Sequence, residues 1–116
     1  MNSEIDKIKH MWPSLRFLDK IFEEEFLATQ EDMLGAARTQ RLPQYRAIYI
    51  NMAKTIAPSL TYRELGLLVN RSHSNAIWCL KNYKNWLKYD KHFRVFNDIV
   101  KHKFNQLTKE KENELD

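Results

Sequence analysis

Ser72, His73, Ser74 and Asn75 are four consecutive residues that are short, polar and able to donate or accept hydrogen bonds. Side chains of this kind read base edges in the major groove of DNA, where each base pair presents its own donor and acceptor pattern. Ser72 stands where a helix cap belongs, and no Asp or Glu follows it in the next turn. A solvent-facing helix start favours acids, which complement the helix dipole. Leaving them out makes sense where a polyanion approaches. Arg41 and Lys81 stand on the flanking chain as candidate phosphate contacts. Other chemistries find little footing. Two glycines cannot build a GxxxxGK[ST] phosphate loop, so no nucleotide is expected. No nucleophile–base pair or carboxylate dyad has supporting spacing. Cys79 is the lone cysteine and is expected to be a core thiol, without a disulfide or Cys-based zinc site. His10, His92 and His102 show no metal-ligand spacing. The expectation is a non-enzyme with no cofactor and no metal.

The elements that hold this tetrapeptide can be read on either side of it. Thr61 and Glu64 form a T-x-x-E capping box that opens a short helix over 62–69, with Leu65, Leu68 and Val69 facing inward. Asn70 and Arg71 are the break, and Asn tolerates the left-handed backbone of a sharp turn. The helix after Ser72 carries Ala76, Ile77, Leu80, Tyr83 and Leu87 on one side. Ser74, Asn75, Trp78, Lys81, Asn82 and Asn85 lie on the other. Two capped helices joined by two residues have the layout of a helix-turn-helix, whose second helix enters the major groove N-terminus first.

The rest of the chain also reads as helix. Ser3 and Asp6 start a segment that Pro13 stops near Trp12. Leu15, Leu18, Ile21, Phe22 and Phe26 make one apolar stripe. Thr29 and Asp32 cap a short turn that Gly35 ends, and residues 36–42 form a loop. Pro43 suits the first turn of a helix running to about 57, with Ile48, Met52 and Ile56 on one face. Asp90 caps a last helix through Phe93, Phe96, Ile99, Val100, Phe104 and Leu107. Residues 108–116 are expected to be a polar flexible tail. With 2 Gly, 3 Pro and 43% hydrophobic residues in 116, the chain suits one compact all-α, multi-helix domain.

Charge is unevenly placed. Residues 1–32 hold four Lys or Arg against eight Asp or Glu, whereas residues 33–107 hold thirteen against three, a net +10. Such a cationic block attracts polyanions through counterion release. No apolar run approaches the ~18 residues of a membrane span, and the N-terminus lacks a signal-peptide pattern. A cytoplasmic protein with no membrane association is expected.

Residues 61–77, TYRELGLLVNRSHSNAI, resemble the signature S-L-x-E-I-G-x-x-F-G-G-R-D-H-[ST]-T-V of the C-terminal DNA-binding domain (domain IV) of DnaA, the bacterial chromosomal replication initiator. Upstream, Asp32-Met33-Leu34 looks like the family's D-L-L before its basic loop, and Ala53-Lys54 like its A-K pair. The resemblance covers residues 18–107 and leaves 1–17 as a helical extension. It implies a Trp-repressor-like or DnaA C-terminal-domain-like fold. It also implies that Arg38 enters the minor groove, where arginine suits a narrow width, that Arg46 and Lys54 hold phosphates, that Arg71, just before the recognition helix, is a further phosphate contact, and that His73 and Ser74 meet bases. Ser72 replaces the family's aspartate and Asn75 its threonine, so the resemblance carries over the fold and not the family's target sequence. Together these readings give a stand-alone, sequence-specific binder of double-stranded DNA, such as a phage or mobile-element regulator of replication or transcription. The alternative is a protein-interaction module on a degenerate helix-turn-helix scaffold, contacting a partner through acidic residues 1–32. RNA binding fits less well, because no aromatic platform for unpaired bases stands out in the sequence.

Overall fold

Helix α1 (Ser3–Met11) stops ahead of Pro13, and α2 (Leu15–Phe26) buries the stripe read from the sequence. Leu15, Leu18, Ile21 and Phe22 are fully enclosed and Phe26 packs beside them. Each such side chain contributes about 1.5–3 kcal/mol through its burial. The computed structural model describes residues 3–35 and 41–115, and among these the elements are seven helices without a strand. Helix α3 (Gln30–Leu34) opens on the reciprocal box of Thr29 and Asp32, each side chain bonded to the other's backbone N–H. Pro43 sits in the first turn of α4 (Leu42–Ile56). This helix is buried around more of its circumference than one face, because α2, α3, α5 and α6 all pack on it.

A polar group inside the core ties three helices together. The Lys9 side chain, 2% exposed, donates to Asp19 at 2.7 Å, and the Tyr49 hydroxyl donates to the same carboxylate at 2.8 Å. Burial and then the Asp19 charge push the Tyr49 hydroxyl well above its ordinary pKa, which keeps it a donor.

Helix α5 (Tyr62–Leu67) opens on the Thr61–Glu64 box and ends two residues before the expected 69. Its end is a Schellman motif. Asn70 is left-handed at φ 54°, its N–H bonds the Leu67 carbonyl, and the Arg71 N–H reaches back to the Gly66 carbonyl at 2.8 Å. The returning chain passes directly over Gly66. A Cβ there would lie 2.5 Å from the Arg71 carbonyl oxygen and 2.6 Å from that of Ser72. Helix α6 (His73–Tyr89) follows, packed on α4 and α5.

Asp90 starts α7 (Lys91–Leu115) by accepting the Phe93 N–H, and Gln44 holds its other oxygen. Helix α7 runs along α2, joined by the Phe17–Phe104 edge contact and by Lys103 with Glu25 at 3.5 Å. Its backbone is helical through Leu115, over the segment expected from sequence to be a polar flexible tail. The Lys, Glu and Leu of that segment are good helix formers and continue a helix already nucleated on the core. Asp116 lies outside the described residues. No helix among the described residues is long and apolar enough to cross a membrane.

Candidate nucleic-acid interface

Ser72 begins the site. Its extended backbone ends the turn, and its hydroxyl oxygen accepts the Asn75 N–H at 3.2 Å. Part of its hydrogen-bonding capacity is therefore used as a helix cap, leaving the O–H to donate. His73 and Ser74 are exposed in the first turn of α6, which holds no acid. Asn75 is half-buried. Its side-chain oxygen accepts from the Cys79 thiol at 3.6 Å, so its NH2 group is what it has left to offer. Cys79 itself is buried, and burial raises its pKa to about 11 despite the lowering effect of Arg46 and Arg71.

The expected phosphate contacts separate into two groups. Arg46 is corrected from a phosphate contact to a buried scaffold residue, 4% exposed. Its Nε donates to the Met33 carbonyl at 2.9 Å, and its Nη2 to the carbonyls of Asp32 and Gly35 at 3.1 and 3.0 Å. Arg71 is also drawn inward. One nitrogen bonds the Val69 and Asn70 carbonyls, and the other meets Gly35 at 2.8 Å. Asn70 adds a bond to the Leu34 carbonyl. Four successive carbonyls at the end of α3, which helix geometry leaves without intrahelical partners, are thus satisfied from α4 and the turn. This fixes the point from which the chain departs toward Arg38. Arg38 lies outside the described residues, as do Ala36 and Ala37. Arg41 is half-buried, bonded to Gln44 at 3.0 Å and set over the Phe96 ring at 5.3 Å, so its guanidinium is engaged with α4 and α7.

The second group makes no hydrogen bond to a backbone carbonyl among the described residues, and it runs from half-buried Lys54 to exposed Lys81. Lys54 lies over the Tyr62 ring at 5.0 Å, which places it beside the first turn of α5. Lys81 is exposed on α6, seven residues beyond Ser74 and so on the same side of the helix. Lys84, Asn85 and Lys88 extend the exposed side of this helix, which carries no Asp or Glu. Between the turn and α6 opens a cleft of about 410 Å³ lined by Arg46, Asn70, Arg71, Asn75, Trp78 and Cys79. Among the described residues no group of three or more His, Cys, Asp or Glu is placed to hold a metal.

Sequence patterning placed Trp78 on the polar side of its helix but missed that exposed Tyr89 joins it there on α6. The signal was available in their separation of eleven residues, which returns a helix to nearly the same face. No protein-family model matches the chain, and no curated protein or solved structure matches it either.

Proposed function

We propose that this chain binds double-stranded DNA sequence-specifically, with α5, its turn and α6 acting as a helix-turn-helix. The observation that carries the reading is the first turn of α6. It is capped by Ser72, lacks any acid, and offers His73 and Ser74 to solvent at the end of a helix whose outer side bears only cationic and neutral groups. A helix N-terminus attracts anionic partners through its free N–H groups and dipole. His73 and Ser74 then read base edges, with the Asn75 NH2 group at the margin. Lys54, Lys81, Lys84 and Lys88 meet phosphates. Arg46, Arg71 and Asn70 position the chain that leads to Arg38, and Arg38 supplies the minor-groove contact. The resemblance of residues 61–77 to the initiator's DNA-binding domain points the same way.

Selection of bound duplexes from a random library tests this. A recurrent motif is the expected result, and its binding should weaken with salt. With about four lysine–phosphate contacts, log affinity against log salt should have a slope of about −3 to −4. An unenriched pool, or binding that ignores salt, contradicts the reading.

A further inference from the structure

We propose that the outer face of α6 is also a site for unpaired nucleic-acid strands, whose bases stack on Trp78 and Tyr89. These two side chains are 46% and 76% exposed. The other exposed aromatic among the described residues, Tyr62, sits under the Lys54 ammonium. Eleven residues of helix turn through three full revolutions and about 20°, so Trp78 and Tyr89 share one face about 16 Å apart. Asn85 lies between them on that face, with Lys81 and Lys88 along its border.

The platform is rigid at one end. Trp86 meets Trp78 edge-on at 6.0 Å and is itself packed on buried Phe93 at 5.4 Å. At the other end the Lys88 ammonium stands 5.3 Å from the Tyr89 ring centre. Neither Lys81 nor Lys88 pairs with an acid among the described residues. A cationic track interleaved with exposed rings is what single strands require: phosphates follow the charges and each base offers a π-face to a ring. A duplex keeps those faces stacked inside itself, so the exposed rings favour an unpaired strand over a paired one. The proposed strand site shares Lys81 and Lys88 with the duplex reading, but Tyr89 lies about 22 Å along the helix from Ser74, so its ring belongs to the strand site alone.

The test is a titration of the full chain with labelled oligo-dT and oligo-rU of about 20 nucleotides at low salt, following anisotropy and tryptophan quenching. Binding with quenching is expected, and Trp78→Ala and Tyr89→Ala should each weaken it about 5-fold or more. Tyr89→Phe keeps the ring and should bind like the parent. Either ranking of dT against rU supports the site and identifies the natural strand. Tyr89→Ala should leave duplex binding intact, so the two sites fail separately. No binding of either oligomer, or parental affinity in both alanine variants with unchanged circular dichroism, overturns the proposal and leaves the face to a protein partner.

Discussion

Around the end of α3, Arg46 and Arg71 each donate three hydrogen bonds to backbone carbonyls, whereas on α6 Lys81, Lys84 and Lys88 stand in solvent. Both sets contribute to the net +10 of the middle of the chain, but only one is free to meet a ligand. Arginine's planar fork suits several carbonyls at fixed positions, and lysine's compact, strongly hydrated charge stays at the surface. Charge near a proposed interface is therefore of two kinds, one that builds the scaffold and one that faces solvent. The acidic N-terminal region makes the same point from the other side. Asp19 holds Lys9 and Tyr49, Glu4 holds Arg63, Glu25 holds Lys103, and Asp32 caps α3. These four of the eight acids of residues 1–32 thus have partners within the fold.

The strongest way to break the contrast is through the scaffold. Arg46→Ala removes three charge-assisted bonds and a buried side chain, with the Gly35 carbonyl keeping Arg71 and the Asp32 carbonyl keeping the Gly35 N–H, so it should cost about 3–4 kcal/mol in urea unfolding. Gly66→Ala should cost about 2–3 kcal/mol, because its new Cβ meets backbone rather than a flexible side chain. Losses below about 0.5 kcal/mol in both would show that this region does not hold the turn.

Titration sharpens the contrast at Cys79, which sits beside both arginines yet has its pKa raised from 9.0 to about 11, because burial outweighs their charge. Below pH 9 the thiol is neutral whether folded or unfolded. Between about 9 and 11 the unfolded chain ionises first, so stability should fall as pH rises across that window. Cys79→Val should reduce the fall measured by denaturant midpoints. An identical pH profile in the variant would contradict the assignment.

On the partner-facing side the expected effects on stability are small. Lys81→Ala and Lys88→Ala should each change it by less than about 0.5 kcal/mol. Each lysine that meets a duplex phosphate should reduce the salt slope of binding by about 1 when removed. A stability loss comparable to that of Arg46→Ala would erase the distinction between the two groups. A control lies away from both groups. Leu27 is left-handed at φ 56° with its side chain 84% exposed. Leu27→Gly should stabilise the protein by about 0.5–1 kcal/mol, seen as a higher melting temperature with DNA binding unchanged.

Local signals carried most of the fold. The Thr29–Asp32 and Thr61–Glu64 boxes, the α2 stripe, Pro43 and left-handed Asn70 all act through neighbours within a few residues, and each is legible in sequence. What escaped depends on distant partners. Lys9 is buried because Asp19 and Tyr49 come from two other helices, and no periodicity encodes that meeting. Arg46 looked like a phosphate contact because sequence displays its charge but not the carbonyls that α3 leaves open. The turn tightened to end α5 early because the Gly66 carbonyl accepts the Arg71 N–H, a bond set by the return of the chain. In the candidate site, the cap at Ser72 and the exposure of His73 and Ser74 followed the pattern, while Asn75 turned partly inward toward Cys79.

The most direct test of duplex reading by the first turn of α6 is a paired titration of the parent, His73→Ala and Ser74→Ala against a selected duplex and a scrambled one. Each lost base contact is worth about 1–3 kcal/mol. The ratio of the two affinities should therefore fall by about 5- to 100-fold in at least one variant, while scrambled-duplex affinity and the circular dichroism spectrum stay as in the parent. An unchanged ratio in both variants, with the fold intact, would contradict the claim that this turn reads DNA.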